Sequence, residues 1–259
     1  MSSAYAPPYK ITDTIVHLIA EISEKIGVTA VKSETSLNPK LRRENQIRSI
    51  HSSLVIENNT LSLGQVTDII NGKRVLGAAD EIREVKNAYE AYNLLLTLDP
   101  LNINDLLTAH KILMADLIKE AGRFRSGGIG IFAGKRLVHM APPPDIVPEH
   151  ISNLLNWVRD SDAHPLIKSC VFHYEFEFIH PFSDGNGRMG RMWQTLLLAQ
   201  WRLLFAWLPV EEIILKRQQE YYDVLAAAGK AADSTVFIEY MLLVIKDTLD
   251  DLLRTINPD

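Results

Sequence analysis

The run His180-Pro181-Phe182-Ser183-Asp184-Gly185-Asn186-Gly187-Arg188-Met189-Gly190-Arg191 decides how this chain is read. It places a base, a carboxylate suited to a metal, a glycine-flanked turn and two arginines in one gapless stretch. Gly185 and Gly187 bracket Asn186 and both accept positive φ without a Cβ penalty, so successive N–H groups can converge into an anion-binding concavity. The residues that follow, Arg188 to Leu198, carry a helical pattern. Their N-terminal amides and dipole would point at the same anion.

Working outward, Pro165 opens a helix through Leu166, Val171, Tyr174 and Phe178, and Pro181 disfavours the α conformation at His180, where that helix must end. Helical periodicity also marks Ile11 to Ile26, a stretch with Ile47, Ile50 and Leu54, another from Ile82 to Leu96, and a fourth from Leu106 to Leu117. Pro148 begins a helix through Ile151, Leu154, Leu155 and Val158. Two more follow the motif, one behind Tyr221 and Tyr222 and one from Phe237 to Leu253. His173, Glu175 and Glu177 read as structural parts of the helix leading to His180. The exception is Arg125 to Met140, whose apolar residues alternate around Gly134-Lys135 and predict a β-hairpin. A P-loop reading of Gly134-Lys135 fails because Ile129 stands where glycine is needed and Arg136 replaces Ser or Thr.

Composition sets outer bounds. The 259 residues are 47% hydrophobic and 23% charged, which suits a globular chain able to bury a sizeable core. A net charge of −5 argues against a nucleic-acid surface. No apolar run reaches membrane-span length, and the start of the chain lacks a leader pattern. The lone Cys170 sits in an apolar helical pattern and suits a reducing, cytoplasmic setting. A metal-dependent hydrolase would need more ligands than His180 and Asp184, and no His-Glu-x-x-His or paired cysteine set is present.

The motif matches the Fic signature at every specified position: His-Pro-Phe, any residue, Asp or Glu, Gly-Asn-Gly-Arg, any two, Arg. The chain therefore resembles the Fic family of protein adenylyltransferases, which move AMP from ATP onto a Ser, Thr or Tyr hydroxyl of a protein. That resemblance implies a mainly α fold, a Fic-type helical bundle with one β-hairpin flap and an N-terminal helical extension. It places a Fic core domain over 101–255 and an N-terminal region over 1–100.

The resemblance also distributes roles. His180 would be the catalytic base, its ordinary pKa suiting that task. Asp184 would hold Mg²⁺ against the triphosphate. Gly185, Asn186, Gly187 and Arg188 would cradle and charge-balance phosphates, and Arg191, on the same helix face as Arg188, would reach the γ-phosphate. Phe182 would anchor the turn. Gly187 favours AMP transfer, because the kinase-type Doc branch carries Lys there. Tyr221 and Tyr222 would flank adenine, with core packing an equal alternative. Ile129, Ile131, Lys135 and His139 would form the flap against which a target segment docks as an added strand.

A second element precedes the motif. Ser53-Leu54-Val55-Ile56-Glu57-Asn58 resembles the family's inhibitory helix, Ser or Thr, any three, Glu, then Gly or Asn, here within about 42–58. Glu57 at a helix C-terminus opposes the dipole and calls for a cation, for which Arg191 is the natural partner. Pairing would withdraw the γ-phosphate ligand and hold the enzyme off. In some relatives the same Glu activates water to remove AMP. Alternatives are transfer of UMP or phosphocholine, or a nucleotide-sensing interaction protein. ATP and a protein bearing the hydroxyl are the implied partners, with no membrane, and a homo-oligomer is left open.

Overall fold

The computed structural model describes residues 5–33, 39–133 and 136–256. Its architecture is helical: α1 (Asp13–Ser33), α2 (Pro39–Ile56), α3 (Leu63–Ile70), α4 (Ala79–Leu94), α5 (Ile103–Leu113), α6 (Val147–Asp160), α7 (Pro165–Ile179), α8 (Asn186–Trp201), α9 (Val210–Lys216), α10 (Gln218–Ala231) and α11 (Thr235–Ile256). No helix among the described residues is long and apolar enough to cross a membrane.

Local chemistry sets several boundaries. Ser62 and Gln65 form a reciprocal capping box that starts α3. Asn102 caps α5, and His164 caps α7 ahead of Pro165, whose missing N–H costs nothing at a first helical position. Asn58, at φ 70°, ends the turn after α2 in the left-handed region, which asparagine tolerates.

Helices α7 and α8 form the centre because each is buried on nearly all sides. In α7, Leu166, Cys170, Val171 and Tyr174 join a core with α1, α9, α10 and α11. Phe172, Phe176 and Ile179, on its other side, join Met189, Met192, Trp193 and Leu196 of α8 in a second core with α2 to α6. Both cores draw residues from before and after residue 100. Each fully buried Leu, Ile or Phe contributes roughly 1.5–3 kcal/mol, so the motif between α7 and α8 is fixed from both sides.

The expected hairpin flap is corrected here. The architecture is helical apart from one short strand pair, and a flap over the motif is not shown. Between α5 and α6, Gly130–Ala133 (β1) and Arg136–Met140 (β2) pair antiparallel with a register shift between Ile131 and Phe132. Residues 125–129, where the alternation was expected to begin, lie outside the strands. Met140, at the end of β2, is 61% exposed. Lys135 and the side chains of Ile131 and His139, expected to dock a target, lie outside the described residues.

Candidate active site

His180 ends α7 at φ 50°, ψ 62°, and its N–H donates to the Phe176 carbonyl at 2.9 Å. A non-glycine residue there needs outside support, because the left-handed region costs about 1–2 kcal/mol. Arg125 supplies it: Nε donates to the His180 carbonyl at 2.7 Å, Nη2 to the Ile179 carbonyl at 3.3 Å, and its own N–H to the Pro181 carbonyl at 2.9 Å. The guanidinium thus satisfies carbonyls that the helix end leaves open, where the dipole favours a cation. Its remaining N–H groups reach Gly127 and Pro142. Sequence reasoning had put Arg125 at the start of a hairpin.

The turn after Pro181 is braced from inside. Phe182 is fully buried, and His110 of α5 stacks on it at 3.6 Å between ring centroids and 6° between planes. His110 Nδ1 accepts from the Gly122 N–H at 2.9 Å, so Nε2 carries the proton and donates to the Asp184 carbonyl at 3.0 Å. Burial pushes the His110 imidazole down to about 4 and keeps it neutral. Its signal in the sequence was only one more position on a helix face.

Asn186 is 2% exposed, and its side chain clasps the turn, accepting from the Phe182 N–H and donating to the Phe182 carbonyl at 2.9 Å each. Of the two flanking glycines only Gly185 takes positive φ, at 80°. Gly187 is helical, and its lack of a Cβ serves a close approach: a Cβ there would collide with Glu57 Oε1 and stand 3.0 Å from Arg191 Nη1.

Asp184 keeps a 60% exposed carboxylate beside the start of α8, accepting from the Gly185 N–H at 2.6 Å. Arg188 points inward, 5% exposed, and pairs with Glu84 of α4 at 2.8 Å and with Asp184 at 3.4 Å. Glu84 also accepts from Asn59 at 2.8 Å, so it links the motif to the segment after α2. The role of Glu84 had no local signal.

Arg191 is 2% exposed and held entirely by α2 and its end. Nε donates to Ser53 Oγ at 3.1 Å, and Nη2 donates to the Ser53 carbonyl at 3.1 Å and to Glu57 Oε1 at 2.7 Å. Burial alone would push the guanidinium down, but Glu57, with smaller contributions from Tyr221 and Glu177, holds the group above its ordinary value. The structure thus brings Ser53, Glu57, Gly187 and Arg191 into one cluster.

The tyrosines separate. Tyr221 is 1% exposed, with its hydroxyl 3.0 Å from His173 Nε2, whereas Tyr222 is 41% exposed and donates to the Ile56 carbonyl at 3.3 Å. His173 Nδ1 lies 2.6 Å from Gln194 Oε1, and burial pushes this imidazole down to about 3. Glu177, on the last turn of α7, faces His180, and burial lifts its carboxyl to about 7.

The comparisons agree with this geometry. Residues 100–198 match the pattern of the Fic/DOC family. A Fic family protein from Desulfovibrio desulfuricans, known from its crystal structure, is 56% identical, with a TM-score of 0.94 over 97% of this chain and 77% of that one. Fic-1 of Caenorhabditis elegans, residues 134–508, shares the fold at a TM-score of 0.73 and 21% identity, covering 93% of this chain and 71% of that one. Among curated proteins, the protein adenylyltransferase Fic of Aedes aegypti is 27% identical over 96% of this chain and 51% of its own length. The protein adenylyltransferase fic-1 of Caenorhabditis elegans is 28% identical over 78% of this chain and 40% of its own. The chain thus spans about half the length of these curated relatives, or less. With its motif intact and 97% of its length shared with a Fic family protein at 56% identity, this chain belongs to the Fic/DOC family.

Proposed function

We propose that this chain is an autoinhibited protein adenylyltransferase that transfers AMP from ATP to a Ser, Thr or Tyr hydroxyl of a target protein. The observation that carries the reading is the Arg191–Glu57 pair at 2.7 Å. The cation expected to grip the γ-phosphate is occupied by a carboxylate from a different part of the chain. The names of the curated relatives support the reaction class.

In this reading His180 Nε2 takes the proton of the incoming hydroxyl, and its oxygen forms a bond to the α-phosphorus. The α–β bridging P–O bond breaks, and pyrophosphate leaves with the electron pair. Open amides at the start of α8 supply donors to phosphate oxygens, with the dipole adding to them. Asn186 and Arg188 serve by holding the turn. Tyr222, the exposed member of its pair, is the one assigned to the nucleotide.

Asp184 fits Mg²⁺: one exposed carboxylate suits an ion that retains waters and takes its other ligands from phosphates. Among the described residues no group of three or more His, Cys, Asp or Glu could cage a metal without them. When bound, the ion would neutralise charge on the departing pyrophosphate. We place the protein in a reducing cytoplasm on its cysteine usage, since the single Cys170 can form no internal disulfide.

The test is incorporation of labelled ATP by wild type, Glu57→Gly and Glu57→Gly/His180→Ala. Transfer only by the second protein is expected. No transfer by Glu57→Gly to itself or to lysate proteins, or full transfer without His180, would sink the assignment, and competition by unlabelled nucleotides separates AMP from UMP or phosphocholine transfer. Glu57, 31% exposed at its side chain, is also assigned water activation for removing AMP. Equal release from an AMP-modified target by wild type and Glu57→Gly would overturn that second role.

A further inference from the structure

We propose that Glu177 is the acidic partner of His180, a positioning residue that determines which imidazole nitrogen holds the resting proton and steadies the ring when it gains a second. The catalytic part of this inference rests on the adenylyltransferase reading. The part concerning the ring does not.

Two acceptors near His180 Nδ1 come from Glu177. The Glu177 carbonyl lies 3.3 Å away and its Oε2 4.0 Å away. Neither a carbonyl nor a carboxylate can donate, so Nδ1 keeps its proton and the lone pair falls on Nε2. That is the nitrogen the reaction needs as base. When the hydroxyl proton moves to Nε2, as its oxygen attacks the α-phosphorus and pyrophosphate departs, the ring becomes a cation. In its ionised form Glu177 faces that charge, and the new cation in turn favours that form.

The surroundings of Glu177 show a carboxylate that the fold accommodates at a cost. Its side chain is 14% exposed, and Oε1 is buried with no hydrogen-bond partner among the described residues. An orphaned buried oxygen calls for an explanation. Gly190 makes the space: a Cβ there would stand 2.8 Å from Glu177 Oε1, 3.3 Å from the His173 ring and 3.4 Å from the Phe176 ring. Glycine inside a helix costs about 1 kcal/mol relative to alanine, so α8 gives up stability to admit this group.

The groups facing it come from several elements. On α7, His173 Nε2 is 4.0 Å from Oε1 but is held neutral by burial. From α8 the Arg191 charge favours the carboxylate, and from the end of α2 the Glu57 charge opposes it. Tyr221 and Tyr222 of α10 add hydroxyls whose own ionisation burial suppresses. Withdrawal of Glu57 would remove the like charge and release Arg191 from its pair, so lifting the brake would also favour the ionised form of Glu177. Base and brake are coupled through this one carboxylate.

The experiment uses the full chain in the Glu57→Gly background, comparing Glu177→Gln and Glu177→Asp. Glu177→Gln is expected to lower kcat by about 10-fold or more with KM for ATP unchanged, and to move the acid limb of kcat/KM down by about one pH unit, as loss of a nearby opposite charge does. Glu177→Asp should recover part of both. Without nucleotide, the midpoint at which the His180 Cε1–H signal titrates by NMR should fall by about one pH unit in Glu177→Gln. An unmoved NMR midpoint and an unmoved acid limb would overturn the proposal, even if kcat dropped. If Glu57→Gly transfers no AMP, the adenylyltransferase reading fails alone, and the NMR midpoint still decides the part of Glu177. Should Glu177→Gln fail to fold, the shortened carboxylate of Glu177→Asp must still lower the midpoint for the proposal to stand.

Discussion

Glu57 Oε1 accepts a hydrogen bond from Arg191 Nη2 at 2.7 Å although the two residues are 134 positions apart. The arginine is 2% exposed at its side chain and the glutamate 31%. Such a pair is asymmetric in its consequences, because the buried partner loses its counter-charge if the exposed one is removed.

Glu57→Gly is therefore expected to act in opposite directions on stability and activity. Loss of the carboxylate should cost about 1–2 kcal/mol, reduced from the fully buried case because Ser53 still accepts from Arg191 and Glu57 is partly solvated. AMP incorporation should rise by at least about 10-fold as the phosphate ligand is released. Denaturant unfolding and labelled-ATP incorporation on the same preparation check both signs.

Gly187→Ala should destabilise the wild type although alanine is the better helix former by about 1 kcal/mol. The added Cβ meets Glu57 Oε1 and stands 3.0 Å from Arg191 Nη1, so the carboxylate must shift and the ion pair is strained. In the Glu57→Gly background the collision is gone, and the substitution should turn neutral or stabilising. A double-mutant cycle by denaturant unfolding, with a coupling above about 0.5 kcal/mol, reads this directly.

Glu177 sets a pH dependence of known sign. Burial raises its folded pKa from 4.5 to about 7, so the stability it contributes is complete below its unfolded value and is lost as pH rises through about 7. Glu177→Gln should therefore match wild type near pH 4 and exceed it at pH 8, by on the order of 2 kcal/mol. Unfolding midpoints at the two pH values decide it.

His110 and His173 act oppositely. Burial holds the first at about 4 and the second at about 3, both below the ordinary 6.5. The stability they contribute is complete above 6.5 and is lost as pH falls toward those values, since the unfolded chain takes up protons first. Glu175 and Glu211, also raised by burial, offset them in both proteins, so Glu177→Gln should lose more stability than wild type between pH 6.5 and pH 4. Equal losses in the two proteins would show that Glu177 offsets nothing in that window.

The sequence by itself determined the family, the helical class and the order of chemistry along the motif. Those features are local: Pro181 ends α7 at His180, Gly185 turns the chain at φ 80°, and the periodicity after it starts α8. It also marked Ser53 and Glu57 by their spacing, because residues four apart share one helix face. Tertiary structure decided the rest. Whether Asn186 meets a phosphate or the Phe182 backbone depends on how tightly the turn closes. Whether Gly187 is needed for φ or for space depends on Glu57 arriving from another helix. Arg125, His110, Glu84 and Glu177 became part of the site only when the fold brought distant carbonyls, rings and charges against them. The alternation at 125–140 overstated the hairpin because alternation records only a local preference: pairing is confined to Gly130–Ala133 and Arg136–Met140, and a flap over the motif is not shown. Pattern reports what a segment prefers, and burial, close approach and long-range charge decide what it does.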